Sequence, residues 1–331
     1  MAVGSGIGGS FGISDETVYG TYVAPARFYE ANSAPLKRNK TVVQRSGLAA
    51  GRLVRAAGGR SVTDTNGEGT VTLEVVQKSM GLLLKHIFGG VVTPVQQAAT
   101  TAYLQTHLLV DNAGRFFSAQ AGVPMTSGTV YPSTGVGTKI TDAEFSCGRG
   151  EYLTAALTLD CQDVVDSQTL AAPSYPTGLK AFNFKHSTLK IGAFGSEAAV
   201  DGVSKVSFKM TRPQKTDRVY AGNAGLKKEP IQNDLVDLTG TIETDFVNRT
   251  DFADRFAADT PFSLIWEFVG ANIASTYYET FRIKLPAVYL DTDTPTLEGP
   301  DVVSPSFNFT ALNDLTNAPV TCEYMSVDVA L

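Results

Sequence analysis

A strand-helix block that occurs twice constrains the fold of this chain more than any other feature of its sequence. The first copy, residues 69–90, reads GTVTLEVVQKSMGLLLKHIFGG. Apolar Val71, Leu73 and Val75 alternate with polar residues, a period typical of a strand with one buried face. After Ser79, which can cap a helix, apolar residues recur at helical spacing as far as a Gly-Gly stop. The block therefore predicts a strand that leads directly into a short amphipathic helix.

The same block returns in the second half of the chain. Residues 240–261 read GTIETDFVNRTDFADRFAADTP, and Gly240 lies 171 positions after Gly69. Thr250 takes the place that Ser79 has in the first copy, so it is the second predicted helix cap. Two copies of one strand-helix unit in a single chain indicate an internal duplication.

Length and composition favour two β-rich domains. The chain has 331 residues, of which 43% are hydrophobic and only 18% charged, and it is rich in Gly, Thr, Ser and Val. Such a mixture favours strands and turns over long helices. The stretch 162–180 has two prolines and no clear period, which is typical of a linker. We therefore predict a first domain at 1–165, a linker at 166–180 and a second domain at 181–331. Each domain is predicted to be a β-sandwich or barrel with one short flanking α-helix.

The segment 45–68 is unusual because it combines arginines with many glycines. It contains Arg45, Arg52, Arg55 and Arg60. A solvated long hairpin loop is favoured over a nucleic-acid site, since the formal net charge of −6 argues against a protein that grips nucleic acid over its whole surface. A guanidinium group pairs well with carboxylates, so the segment also suits a charged contact with an acidic partner surface.

The sequence offers no constellation for catalysis. His86, His107 and His186 lack metal-ligand spacing, and the three cysteines form no metal-binding pattern. There is neither a nucleophile elbow nor a phosphate-binding loop. We predict that the chain is not an enzyme and has no catalytic, cofactor or metal site, which favours a structural role.

Several stretches resemble one family. GTYVAP at 20–25, the Arg-rich loop and LLKH at 83–86 resemble the N-terminal part of tail tube proteins (major tail proteins) of long-tailed phages with non-contractile tails. GTKITDAEFSCGRGEYLTAALTLD and FRIKLPAVYLDTDTPTLEGPDVVSPSFNFTAL are similar to the closing strands of that family. The resemblance covers nearly the whole chain and implies a β-sandwich with a helix. Together with the duplication it predicts two tandem tail-tube-like domains, which departs from the single-domain members of the family.

The resemblance also implies a function. Such a protein is a structural part of the virion tail that polymerises as stacked rings, forming the conduit for DNA ejection into the host. It would assemble in the host cytoplasm without membrane insertion, and DNA would pass through the lumen without specific binding. Its partners would be further copies of itself and the tape measure, tail terminator and distal tail proteins. A ring of six domains would then be closed by three two-domain chains with pseudo-six-fold symmetry, with six chains as the alternative.

Other readings stay open at this point. The chain could be the tube protein of a contractile tail or of a type VI-like injection system, which shares the fold. It could also be an adhesive or carbohydrate-binding β-sandwich of a phage fibre. For a tube, we expect Arg45, Arg52, Arg55 and Arg60 to contact carboxylates of the adjacent ring.

Overall fold

The computed structural model describes residues 3–292, 299–300 and 302–331, and most of them lie in antiparallel β-strands. The elements of the first half are β1 (Ser10–Asp15), β2 (Arg27–Tyr29), β3 (Ala31–Ser33), β4 (Leu36–Gln44), β5 (Arg60–Glu74), α1 (Gly81–Phe88), β6 (Val95–Gln96), β7 (Tyr103–Leu108), β8 (Phe117–Pro124), β9 (Val130–Gly148), β10 (Thr154–Cys161) and β11 (Asp163–Val165). The elements of the second half are β12 (Ser187–Ala193), β13 (Ser196–Ala199), β14 (Val203–Thr211), β15 (Gln214–Lys215), β16 (Ile231–Gln232), β17 (Asp237–Thr244), α2 (Ala253–Ala257), β18 (Phe262–Ala274), β19 (Tyr277–Thr292), β20 (Ser306–Ala311) and β21 (Thr321–Ser326). The predicted mainly β fold, with one short helix in each half, is confirmed.

Both predicted strand-helix blocks form, but their helices are not capped as predicted. Gly89 adopts a left-handed conformation with φ of 88° and ends α1, which confirms the predicted stop. The cap predicted at Ser79 is wrong, because the backbone N–H of Ser79 donates to Asp328 and Met80 occupies the N-cap position. The cap predicted at Thr250 is also wrong, since its hydroxyl donates to the Asn248 side chain. Local sequence therefore set where α1 ends, whereas a distant contact set how it begins.

The two halves share one strand order. In the first half neighbouring strands follow the order β4-β5-β10-β9-β8-β1-β2, and in the second half the order is β14-β17-β20-β19-β18-β12-β13. The registers correspond as well, because Gly69 faces Leu159 and Gly240 faces Phe309. This agreement supports the internal duplication that the sequence indicates.

Among the described residues, two strand pairings join the halves. Strand β9 pairs with β8 through its first part, and then with β14 of the second half, so that Phe145 faces Phe208. Strand β7 pairs with β21 near the C-terminus, where His107 faces Cys322. Buried side chains from both halves form one hydrophobic core, in which the rings of Phe145 and Phe281 lie 5.4 Å apart. The two halves therefore share one core, and the domain limits predicted from the sequence, 1–165 and 181–331, stay a prediction.

The Arg-rich segment is more ordered than predicted. Residues 60–68, expected to belong to a loop at 45–68, form the start of β5 and pair with β4, so that Arg60 faces Gln44. Their β-branched residues Val62 and Thr63 favour an extended backbone. Only 45–59 remains outside the strands, and it includes one short 3₁₀ turn.

His107 makes the stability of the chain sensitive to acid. Its side chain is buried on β7, and its Nδ1 has no hydrogen-bond partner among the described residues. Burial lowers the pKa of His107 to about 4. The unfolded chain therefore binds a proton before the folded chain does, and the free energy of unfolding should fall from about pH 6.5 to pH 4, by roughly 3 kcal/mol.

Urea denaturation at pH 7, 5.5 and 4 measures this loss. His107→Gln should lose less stability over the same interval than the wild type, while His186→Gln, at a half-buried turn, should behave as the wild type does. If His107→Gln and the wild type lose equal stability, His107 is not the acid-sensitive group.

Candidate assembly surfaces

The described part of the chain has no arrangement of residues for catalysis or metal binding. No group of three or more His, Cys, Asp or Glu side chains could hold a metal ion there. Cys147, Cys161 and Cys322 are buried thiols, and burial raises the pKa of each. None of the described helices is long and apolar enough to cross a membrane. The informative sites are instead surfaces that could join copies of the chain.

A projecting hairpin, residues 40–65, carries all four arginines that the sequence singled out. We call this segment the arm: its stem is the paired part, 40–44 with 60–65, and its tip is 45–59. Arg45, Arg52, Arg55 and Arg60 are exposed, and none forms an ion pair within the described residues.

The arm also exposes large apolar side chains. Leu48 and Leu53 at the tip are fully exposed, and Val62 in the stem is half exposed. Exposed apolar residues grouped on one segment mark a surface that a partner covers. The arm thus combines exposed charges with exposed apolar side chains, and the solvated hairpin loop favoured from the sequence stays a prediction.

Strand β4 presents an uncovered edge. It pairs with β5 on one side, and no described strand pairs with its other side. Lys37, Arg38 and Lys40 are exposed on this strand. Unpaired backbone groups on an edge strand are a template for pairing with another chain, and charged side chains limit that pairing to a matching partner.

The counterpart of β4 in the second half is covered on both sides. Strand β14 pairs with β17 on one side and with residues 142–148 of β9 on the other. Thr211 donates its hydroxyl to the Asp142 carboxylate at 2.9 Å. The chain thus contains the same edge twice, once covered and once not.

The segment after β14 folds back over the first half and is held there by buried cations. The Arg212 guanidinium donates to the carbonyl oxygens of Ile87 and Phe88 at 3.2 Å and of Val110 at 2.8 Å. It therefore caps the C-terminus of α1, where a cation is favoured by the helix dipole. Burial lowers the pKa of Arg212 to about 10, so the group stays charged at neutral pH.

Two lysines add ion pairs between the halves. Lys227, which is buried, lies 2.5 Å from the carboxylate of Asp160. Lys139, also buried, lies 2.6 Å from Glu229 and donates to the carbonyl oxygens of Asn112 and Pro230. Because the charges are both paired and hydrogen-bonded, their desolvation is offset, and they fix how this segment sits on the first half.

An open groove of about 1020 Å³ lies beside this segment, and residues of both halves line it. Its lining is largely apolar with two carboxylates. The lining includes Leu109, Asp111, Ile231, Asp234, Leu235 and Leu312.

A model of the phage tail tube protein family matches residues 6–311, nearly the whole chain. The chain belongs to the phage tail tube protein family. No curated protein matches it. Tail tube proteins are structural and not enzymes, so this member is a structural component of a phage tail, where it associates with itself and with other tail components.

Within this tail tube protein, the four arginines predicted from the sequence lie together on the arm. The sequence did not reveal Arg212, Lys139 and Lys227, which hold the two halves together. Arg212 lies between the end of β14 and Pro213, but neither this position nor the local sequence around the two lysines identifies a partner.

Replacing Arg212 should loosen the contact between the halves. Arg212→Met leaves the carbonyl groups of Ile87 and Val110 without their donor, and each buried unsatisfied group costs about 1–3 kcal/mol. The Phe88 carbonyl keeps its hydrogen bond from the Val110 N–H. We expect the free energy of unfolding, measured by urea denaturation, to fall by about 3 kcal/mol.

Arg249→Met is the matched control. Arg249 lies 3.1 Å from Asp254 on the surface, and such exposed pairs contribute about 0–1 kcal/mol. Equal stability losses in the two variants would show that the Arg212 contacts contribute nothing special.

Proposed function

We propose that this chain forms stacked rings that build the tube of a non-contractile phage tail, the conduit through which DNA is ejected into the host. The observation that supports it is the pair of unequal edges. Strand β14 is covered by β9 of the same chain, whereas its counterpart β4 is uncovered.

The internal pairing suggests how a second copy would bind. Register identifies the counterpart of β9 in the second half, because Ile140 of β9 faces Leu159 and Leu290 of β19 faces Phe309. The surface that would cover β4 therefore begins at the end of β19. If the rotation that relates the two halves is repeated, β4 of the next copy meets that end of β19.

Repeating one rotation gives a head-to-tail contact, which generates a closed ring when the rotation divides a full turn. The family resemblance implies six domains in a ring. Three chains of two halves each would supply them, with pseudo-six-fold symmetry. A ring of six chains is the alternative.

Such a tube would contact other tail proteins on its outside and at its ends, and DNA in its lumen. Rings would stack in the virion tail after assembly in the host cytoplasm, in contact with the tape measure, tail terminator and distal tail proteins. The net charge of −6 suits a lumen that does not hold DNA phosphates, because each neutralised phosphate adds salt-dependent affinity. Genomic DNA would then pass without specific binding.

Ring size tests the proposed symmetry. Averaged end views of assembled tubes by electron microscopy should show three-fold symmetry with a pseudo-six-fold outline, and native mass spectrometry of released rings should give three chains. A mass of six chains, or a protein that stays monomeric under all assembly conditions, would contradict it.

The tip of the arm is proposed to join one ring to the next. Arg45, Arg52 and Arg55 on the tip, with Arg60 at its base, would contact carboxylates of the adjacent ring. Single exposed ion pairs contribute only about 0–1 kcal/mol, but they recur around each ring. Glycines such as Gly51, with φ of 76°, allow the tip to turn sharply.

Replacing 46–58 by Asn-Gly removes the tip and keeps the stem paired, since Asn-Gly suits a two-residue hairpin turn. The variant should form rings that no longer stack, as measured by sedimentation velocity and electron microscopy. Arg249→Glu, a charge reversal at an exposed site off the arm, should form tubes normally. Tubes of normal length from the shortened variant would show that the tip is not the stacking element.

A further inference from the structure

We propose that the groove lined by Leu235 and Leu312 is a binding site, which we call the seat, for the stem of the arm of a second copy. This second copy would be the neighbour within the ring. This inference rests on the proposed ring. In the ring, the groove of one copy would bind the stem of the next copy, beside the uncovered edge of β4.

The arm has a counterpart in the second half that already lies against such a surface within the single chain. The short hairpin β15–β16 follows β14 as the stem of the arm follows the first part of β4. In the second half this hairpin belongs to the segment that folds over the first half, where Gly225 accepts a hydrogen bond from Thr65 and Lys227 meets Asp160. In the first half residues 40–44 and 60–63 of the stem are exposed, and only the base of the stem, at Thr65, contacts that segment.

The groove corresponds, in the second half, to the surface that this segment covers in the first half. The segment after β14 covers the start of β5 near Thr65 and the end of β10 near Asp160. The same places in the second half are the start of β17 and the end of β20. These places line the groove through Leu235 and Leu312, and both side chains are largely exposed in the single chain.

The stem and the groove are complementary in apolar surface and in charge. The stem offers apolar Val42 and Val62, which face each other across the hairpin and are both exposed, with Lys40 and Arg60 on the same face. The groove offers apolar Leu109, Ile231, Leu235 and Leu312 between the carboxylates of Asp111 and Asp234. Burying apolar surface on both partners is favourable, and the charges at its margin select this orientation.

The seat gives the two parts of the arm separate roles. The stem would lie in the groove of the ring neighbour, continuous with the pairing of β4 and β19. The tip, 45–59, would stay outside the groove and remain available to the adjacent ring. Ring closure and stacking would thus depend on adjacent parts of one hairpin.

Engineered cysteines test the seat. The native cysteines are buried, so a Val62→Cys, Leu235→Cys double variant places the only exposed thiols on the stem and in the groove. Assembled tubes would be oxidised and separated on a denaturing gel without reductant, with each single variant as a control.

The cross-linked ladder distinguishes the outcomes. A ladder that ends at three chains supports both the seat and the three-chain ring, and one that ends at six supports the seat but overturns three-chain symmetry. An open ladder beyond six would place the stem in the next ring and overturn the inference. Cross-links confined to one chain, or none in assembled tubes, would also overturn it.

A charge placed in the groove provides an independent measurement. Leu235→Asp should raise the protein concentration needed for ring formation at least tenfold, whereas Leu315→Asp, at an exposed turn outside the groove, should leave it unchanged. Equal effects of the two substitutions, with both variants folded by circular dichroism, would overturn the seat even if the wild type forms rings.

Discussion

The pairing of β9 with β14 is the interaction on which the rest of the structure depends. It covers the backbone groups of an edge strand with a strand from the other half, so that two similar units become parts of one sheet. It also brings the segment after β14 over α1 and β10, where Arg212 and Lys227 find their partners. Without this pairing Arg212 and Lys227 would lack their partners on the first half.

The buried charges at this contact set geometry more than they add stability. A buried ion pair gains little over a well-packed apolar pair, because both charges must first leave water. Lys139 with Glu229 and Lys227 with Asp160 nevertheless attach the segment to the first half at two separate points. If the same rotation is repeated from chain to chain, the angle between halves determines how many halves close a ring.

One proline accounts for the difference between the two hairpins. In the second half Pro213 follows Arg212 directly after β14, and proline has no N–H for a strand ladder. Strand β14 therefore ends there, and the chain turns over the first half. The first half has Thr41 and Val42 at the corresponding place, so β4 continues and the hairpin projects as the arm. A duplicated unit thus provides one hairpin that joins its own halves and one that is left for a partner.

The sequence by itself determined the local elements and the family. Alternation at Val71, Leu73 and Val75 predicted β5, and Gly89 marked the end of α1, because these features depend on side-chain period and on the conformational freedom of glycine. The duplicated block and the resemblance to tail tube proteins likewise required no coordinates. Only the tertiary structure decided which strands meet, since a two-residue period specifies a buried face and not a partner. In the tertiary structure Ser79 does not cap α1; its backbone N–H donates to Asp328, which lies 249 residues later in the chain. The tertiary structure also covered β14 and left β4 bare, a difference that arises from long-range packing and that no local pattern contains.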